Sequence, residues 1–397
     1  MNQNLSVTPT PEEITHENPV IAKPLLSMKR LIVLFWEMLL ALPLGLALFQ
    51  LHVGGFAWIF GGIAAGVMVL QGCRIFYQYS PPPNRTARKV GMALVGLSVG
   101  VSSSSSNFTV LASGIPIFIF LTLFLLLCGS CIGYIYSRLS QTNLLTSLLA
   151  TVPGGVGVMA SIAADYDRNV SLVALVQAIR VTTVVLLIPL IARTSVSVDH
   201  VLIPQTLPVT DIFLNFNISQ LGLLLLALLT TVFVVYLAAL CKIPAAEFCG
   251  ALLVGIAFNP VLHWLPIWGH VNLDSPLFIK LLGQLLLGIT IGEYWGDNPN
   301  LDRKAIGYAF VSVGMTLVAG AAAAILAMQL TSWDWLTCLL VTAPGGAPEM
   351  ILVSLALNHN VEIVTAGHLV RLIAINSSLP LWIFLFRHLD SQLSEPV

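Results

Sequence analysis

Two arginines interrupt otherwise apolar segments, Arg180 and Arg371, and each stands nine residues before a proline, Pro189 and Pro380. A guanidinium keeps its proton in a protein, so within an apolar stretch it must meet a partner. One reading makes the pair ligands for an anionic substrate, or partners of a titrating carboxylate, in a cavity at the membrane midplane. The other has each arginine cap the last carbonyls of a short helix as part of the architecture. The residues alone leave both open.

Upstream of each arginine lies a Pro-Gly-Gly triplet, Pro153-Gly154-Gly155 and Pro344-Gly345-Gly346. Proline removes a backbone donor and clashes with the preceding turn, and two glycines add backbone freedom, so a helix breaks there. A half-helix starting after the break presents free N–H groups and a positive dipole end, a site suited to an anion. Thr151 and Thr342, just before the breaks, add hydroxyls. The alternative is a packing kink, since glycine and proline are common in membrane helices.

Glu349 follows the second triplet, where the first half has Val158. It reads as a proton or cation coupling group, as a partner for an arginine, or as a first-turn glutamate favoured by the helix dipole. Glu37, Glu247 and His368 are further ionisable residues in or beside apolar segments, and a structural or interfacial role suits each better. The run Ser102 to Ser106 with Asn107 reads as a loop closing a helix before it reads as a polar path. Cys128 and Cys131 have redox-motif spacing but lie among leucine, phenylalanine and isoleucine, where a thiolate is disfavoured; small residues for helix packing are the better reading. No disulfide framework is implied.

Enzyme signatures are missing: there is no HExxH, no P-loop, no GxSxG at a strand-to-helix elbow and no GxGxxG after a strand. The eight histidines are scattered, with no ligand spacing beside an intramembrane carboxylate. The expectation is a non-enzyme with no metal and no cofactor.

The positioning elements follow from a duplication. At an offset of 191, Leu145–Leu190 aligns without a gap on Leu336–Leu381 with 15 identities in 46 positions, among them both triplets, both threonines, Met159 with Met350, Asn169 with Asn360 and Arg180 with Arg371. Upstream, Arg88, Gly91, Gly96 and Gly100 fall on Lys280, Gly283, Gly288 and Gly292. Matched broken helices in two repeats are the best sequence pointer to a transporter's binding site.

Of 397 residues, 57% are apolar and 9% charged, against roughly 25% charged in soluble domains. Stretches such as Leu31–Leu51, Ile115–Tyr134 and Leu221–Leu240 reach the roughly 20 residues that cross a hydrocarbon core. The chain therefore reads as a polytopic, all-α membrane protein. Its net charge of −1 and lack of a basic run exclude direct nucleic-acid binding as the main role.

If the triplet segment crosses the membrane, the halves are parallel; if it dips and returns, each half has five spans and the second is inverted. The hairpin arrangement places 13 Lys and Arg residues inside and 2 outside, against 11 and 4 for the spanning one. The fold expected is two inverted repeats of about five transmembrane helices, each with a PGG-broken re-entrant hairpin. The boundaries are a cytoplasmic tail at 1–29, a first repeat at 30–193, a linker at 194–218, a second repeat at 219–387 and a C-terminal tail at 388–397. Both termini are expected in the cytoplasm.

With both triplets, the Gly-x4-Gly-x3-Gly elements and Thr342-Ala-Pro-Gly-Gly-Ala-Pro-Glu-Met350, the sequence resembles the AbrB-type family of bacterial membrane proteins. The first half departs from that stretch, with Val156-Gly-Val-Met159. The resemblance implies an inner-membrane protein, distinct from the small soluble DNA-binding regulator of the same name. Labels attached to the family include ammonia monooxygenase, for which this sequence supplies no ligand set, and regulator of gene expression. The expected function is a secondary transporter of a small anionic solute, with Thr151, Pro153, Gly154, Gly155, Arg180, Thr342, Pro344, Gly345, Gly346, Glu349 and Arg371 as the binding residues. The alternative is a membrane sensor acting indirectly on gene expression. Expected partners are the bilayer and the solute, with a homo-oligomer left open.

Overall fold

The computed structural model describes residues 19–51, 53–78, 81–104, 114–195, 218–264, 273, 276–295 and 303–394. Fourteen α-helices and no strand occur among them. The first seven are α1 (Pro19–Gln50), α2 (Ala57–Tyr77), α3 (Arg85–Ser102), α4 (Ile115–Ser140), α5 (Leu144–Thr151), α6 (Val156–Asp165) and α7 (Val170–Ser195). The second seven repeat the order: α8 (Ile218–Leu240), α9 (Ala246–Trp264), α10 (Leu277–Glu293), α11 (Arg303–Leu330), α12 (Trp335–Thr342), α13 (Ala347–Leu357) and α14 (Val361–Ser394).

Among the described residues, eight helices are long and apolar enough to cross a membrane: α1, α2, α4, α7, α8, α9, α11 and α14. Large apolar side chains such as Phe35, Trp36, Leu229, Val232 and Phe384 stay more than half exposed on them, as a lipid-facing surface requires. The third span of each half in the sequence, α3 and α10, is 18 and 17 residues long and is enclosed by other helices instead of facing lipid. Each crosses a helix of the other half: α3 packs on α9, and its repeat counterpart α10 packs on α2. The repeated glycines make these crossings close. A Cβ at Gly100 would lie 2.8 Å from the Gly255 Cα, and one at Gly288 would lie 3.1 Å from the Gly62 Cα. Only small residues let two backbones approach so far.

Several further packings recur in both halves. α1 lies on α2 as α8 lies on α9, α4 meets α5 as α11 meets α12, and α7 meets α11 as α14 meets α4. The largest buried apolar cluster lies where the halves join, from Phe118 and Val184 to Met350 and Val364. Most of the 194–218 linker, both distal tails and Ser105 to Asn107 lie outside the described residues.

Candidate functional site

Each broken segment begins with a capped half-helix. Asn143 accepts from the Thr146 N–H at 2.9 Å at the start of α5, and Asp334 accepts from the Thr337 N–H at 3.3 Å at the start of α12. Both are extended N-cap residues whose oxygens satisfy otherwise unpaired first-turn donors. Helical bonding ends with Val152 N–H to the Leu148 carbonyl and Ala343 N–H to the Leu339 carbonyl, each 2.9 Å. The next acceptors, Leu149 and Leu340, would pair with the N–H four residues on, but that residue is proline in both cases, Pro153 and Pro344. Each break thus leaves a fixed set of buried carbonyls in need of donors.

Those donors come from one face of the helix that follows. In α7, Gln177 Nε2 donates to the Leu149 carbonyl (2.9 Å) and the Val152 carbonyl (3.0 Å). One turn on, Arg180 Nη1 donates to the Thr151 and Val152 carbonyls (3.1 and 3.3 Å), while Nη2 donates to Gln177 Oε1 (2.6 Å). In α14, His368 Nε2 pairs with the Leu340 carbonyl (2.9 Å). Arg371 Nη1 donates to the Ala343 carbonyl (2.8 Å), and Nη2 donates to the Gly345 carbonyl (3.1 Å) and to His368 Nδ1 (2.6 Å). Because a guanidinium only donates, His368 Nδ1 must be the bare nitrogen and Nε2 must carry the ring proton.

The two arginines therefore hold the breaks by their carbonyls, and both are buried. The threonine hydroxyls are committed similarly. Thr151 Oγ1 donates to the Ser147 and Gly129 carbonyls (3.0 and 3.1 Å), and Thr342 Oγ1 to the Cys338 and Gly320 carbonyls (2.8 and 3.0 Å). Gly129 in α4 and Gly320 in α11 make room for the proline rings, which would lie 3.6 and 3.0 Å from a Cβ there.

Past the breaks the halves differ. Gly155 takes a left-handed conformation at φ 81°, and α6 starts behind it, with Gly157 close to the Arg88 guanidinium. At the start of α13, Glu349 is buried, and one carboxylate oxygen folds back over Gly346 without a hydrogen-bond partner. Its carboxylate covers the N-terminal end of α13, which the helix dipole favours. Glu349 lies within electrostatic reach of both Arg88 and Arg180, and Arg371 within reach of Arg180. Arg88 also stands 5.9 Å over the Tyr294 ring, which suits a cation against an aromatic face. Nearby, Lys89 pairs with Glu247 at 2.9 Å, joining α3 to α9.

The second broken segment closes at its base. His359 Nε2 lies 2.8 Å from Asp334 Oδ2, and Asn360 Nδ2 donates to Asp334 Oδ1 (3.2 Å) and Thr337 Oγ1 (2.6 Å). Residues before α12 and after α13 thus meet. Partial burial pushes the Asp334 carboxyl up, but the Thr337 and His359 hydrogen bonds and the His359 charge outweigh it and hold it below the usual range. Beside this base opens a cavity of about 570 Å³, with Ser102, Lys280, Gln284, Asn358, Asn360 and Glu362 among its lining residues. Lys280 is the repeat counterpart of Arg88.

Two participants escape a reading by matched identity. Gln177 and His368 occupy the same repeat position, three residues before each arginine, but differ in kind; the signal was a polar residue at i−3 of a buried charge. Arg88 counts in the sequence as a boundary charge, yet its side chain reaches the start of α6.

The model of the family described as "Transition state regulatory protein AbrB" matches residues 58–387. The YhjN protein of Bacillus subtilis (strain 168) is 27% identical over 326 residues, covering 78% of this chain and 81% of that protein. A protein of Escherichia coli (strain K12) named for a regulator, AbrB, is 24% identical over 348 residues, covering 86% of this chain and 94% of its own.

Proposed function

The chain belongs to the AbrB family, here a polytopic helical membrane protein, and from that premise we propose that it is a secondary transporter of a small anionic solute. The observation that carries the reading is a pair of matched broken helices whose tips share one set of charges. The solute's negative group sits at the N-terminal end of α6, where Val158 leaves room that Glu349 fills in the other half, and Arg88 supplies the counter-charge. Arg180 and Arg371 keep the unwound backbone in shape, which is tolerable at membrane depth only where protein or a wet cavity satisfies it. Glu349 balances the arginines while the site is empty.

In this reading each broken segment is re-entrant, the two entering from opposite faces of five-plus-five inverted repeats in a bacterial inner membrane, with both termini cytoplasmic. Support comes from the 13-to-2 distribution of Lys and Arg and from the closure of Asp334 on His359 and Asn360. The 570 Å³ cavity beside Lys280 is the vestibule on the side where the second segment begins and ends.

The experiment is a thermal-stability screen of the detergent-purified protein against phosphate, sulfate and small mono- and dicarboxylates, followed by proteoliposome flux of the anions that stabilise it. Stabilisation and flux that are lost in Arg88→Ala are expected. Flux unchanged in both Arg88→Ala and an Arg180→Ala/Arg371→Ala double variant overturns the site. The name of the Escherichia coli relative favours a second reading, a membrane sensor that alters gene expression through a partner. Deleting residues 1–28 abolishes signalling under that reading and leaves transport intact under the first.

A further inference from the structure

Away from the broken segments, the buried carboxyl groups of Glu37 in α1 and Glu293 at the end of α10 meet. Glu37 is wholly buried and Glu293 is 5% exposed, and their carboxyl groups lie within interaction reach of each other. Glu293 Oε2 also accepts the Asn84 N–H at 2.8 Å. For Glu37 no donor reaches either oxygen among the described residues. Two ionised carboxylates are acceptors only, so a hydrogen bond between them requires a proton. Ionising both would also place two like charges together in a medium that screens them poorly.

The surroundings fix which member gives way. Glu293 has the Asn84 backbone donor and the reach of Arg30 from α1, both of which favour its ionised form. Glu37 faces Cys73 of α2, which carries no positive charge. Tyr294 lies within reach of Glu293 and is itself balanced by Arg85 and Arg88 of α3. Nothing in the duplication calls for this pair: the part of α8 that matches Glu37, Leu225 to Leu228, is wholly apolar, and the position matching Glu293 is Val101. An acidic pair present in one repeat only is not part of the shared architecture.

We propose that Glu37 and Glu293 form a proton-binding site that holds one proton between them and ties α1 to α10 while it is held. Release of that proton leaves two buried carboxylates face to face and loosens α1 from α10 and α2. In a transporter this is the place where a proton couples to solute movement, and that extension alone rests on the transport reading. The binding site itself is testable with no solute present.

The test compares the purified full-length protein with Glu37→Gln, which keeps the side chain's shape and can donate to Glu293 but cannot ionise. Infrared difference spectra should show a buried protonated carboxyl in the wild type at neutral pH, and Glu37→Gln should lack it. The thermal midpoint in detergent should fall for the wild type between about pH 6 and about pH 9 and stay nearly level for Glu37→Gln. Glu293→Gln removes the second charge and should level the same curve. A wild type without the protonated carboxyl band, or variants whose midpoints fall as steeply as the wild type's, overturns the proposal. So does recovery of the alkaline midpoint by sodium but not by choline, which would make the ligand a metal cation.

Discussion

Replacing His368 with glutamine should leave the protein nearly as stable as the wild type, whereas leucine at the same position should damage it. Gln177 does in the first half what His368 does in the second, so His368→Gln rebuilds a clamp the chain already contains. A glutamine oxygen accepts from Arg371 Nη2, and its amide donates to the Leu340 carbonyl that Pro344 leaves unpaired. Leucine deletes both bonds. Interhelical hydrogen bonds within membranes contribute about 0.6 kcal/mol on average and up to roughly 1.7, so two of them bring the loss to about 1–3 kcal/mol. His368→Gln should stay within about 0.5 kcal/mol, the scale of a change that leaves bonding intact. Unfolding in mixed detergent micelles, with the anionic component as denaturant, reads the difference. Equal damage from glutamine and leucine would refute the equivalence of the two clamps, and no damage from leucine would refute the need for the donor.

Further outcomes follow from the same geometry. Thr342→Val and Thr151→Val each remove a hydroxyl that joins a half-helix to a neighbouring helix, and each should lower stability by about 0.5–1.5 kcal/mol in the same assay. Gly288→Val places a branched side chain where α10 meets the backbone of α2; it should cost several times more and shift the protein to aggregate on size-exclusion chromatography. Asp334 is held ionised below its usual range, so its contribution is present at neutral pH and fades as the pH falls through its folded titration. Because its side chain is about half exposed, the effect is about 1 kcal/mol or less, visible as faster hydrogen exchange at residues 358–361 in acid and abolished in Asp334→Asn.

The breaks were legible because proline and glycine act on the backbone wherever they stand, and the duplication was legible because those residues recur at one offset. Legible too was the location of both arginines, but not which of their two roles the geometry serves, since that depends on carbonyls 26 to 29 residues away. The repeated glycines marked register in the sequence; only the fold reveals that they let α3 meet α9 and α10 meet α2. Spans α3 and α10 looked ordinary because apolar composition does not tell a lipid-facing helix from one enclosed by others. Glu37 and Glu293 were each visible as isolated acids, and pairing residues so distant in sequence requires the helix arrangement.

In the proposed transporter the two broken segments enter and leave on opposite faces of one membrane. Single cysteines at Arg138, Asp165, Ser332 and Asn358, in a background without the six native cysteines, test it through labelling by an impermeant thiol reagent in intact and in opened cells. Arg138→Cys and Asp165→Cys should label from one side and Ser332→Cys and Asn358→Cys from the other. Labelling of Arg138→Cys and Asp165→Cys from opposite sides would mean that the first broken segment spans the membrane and that the halves are not inverted.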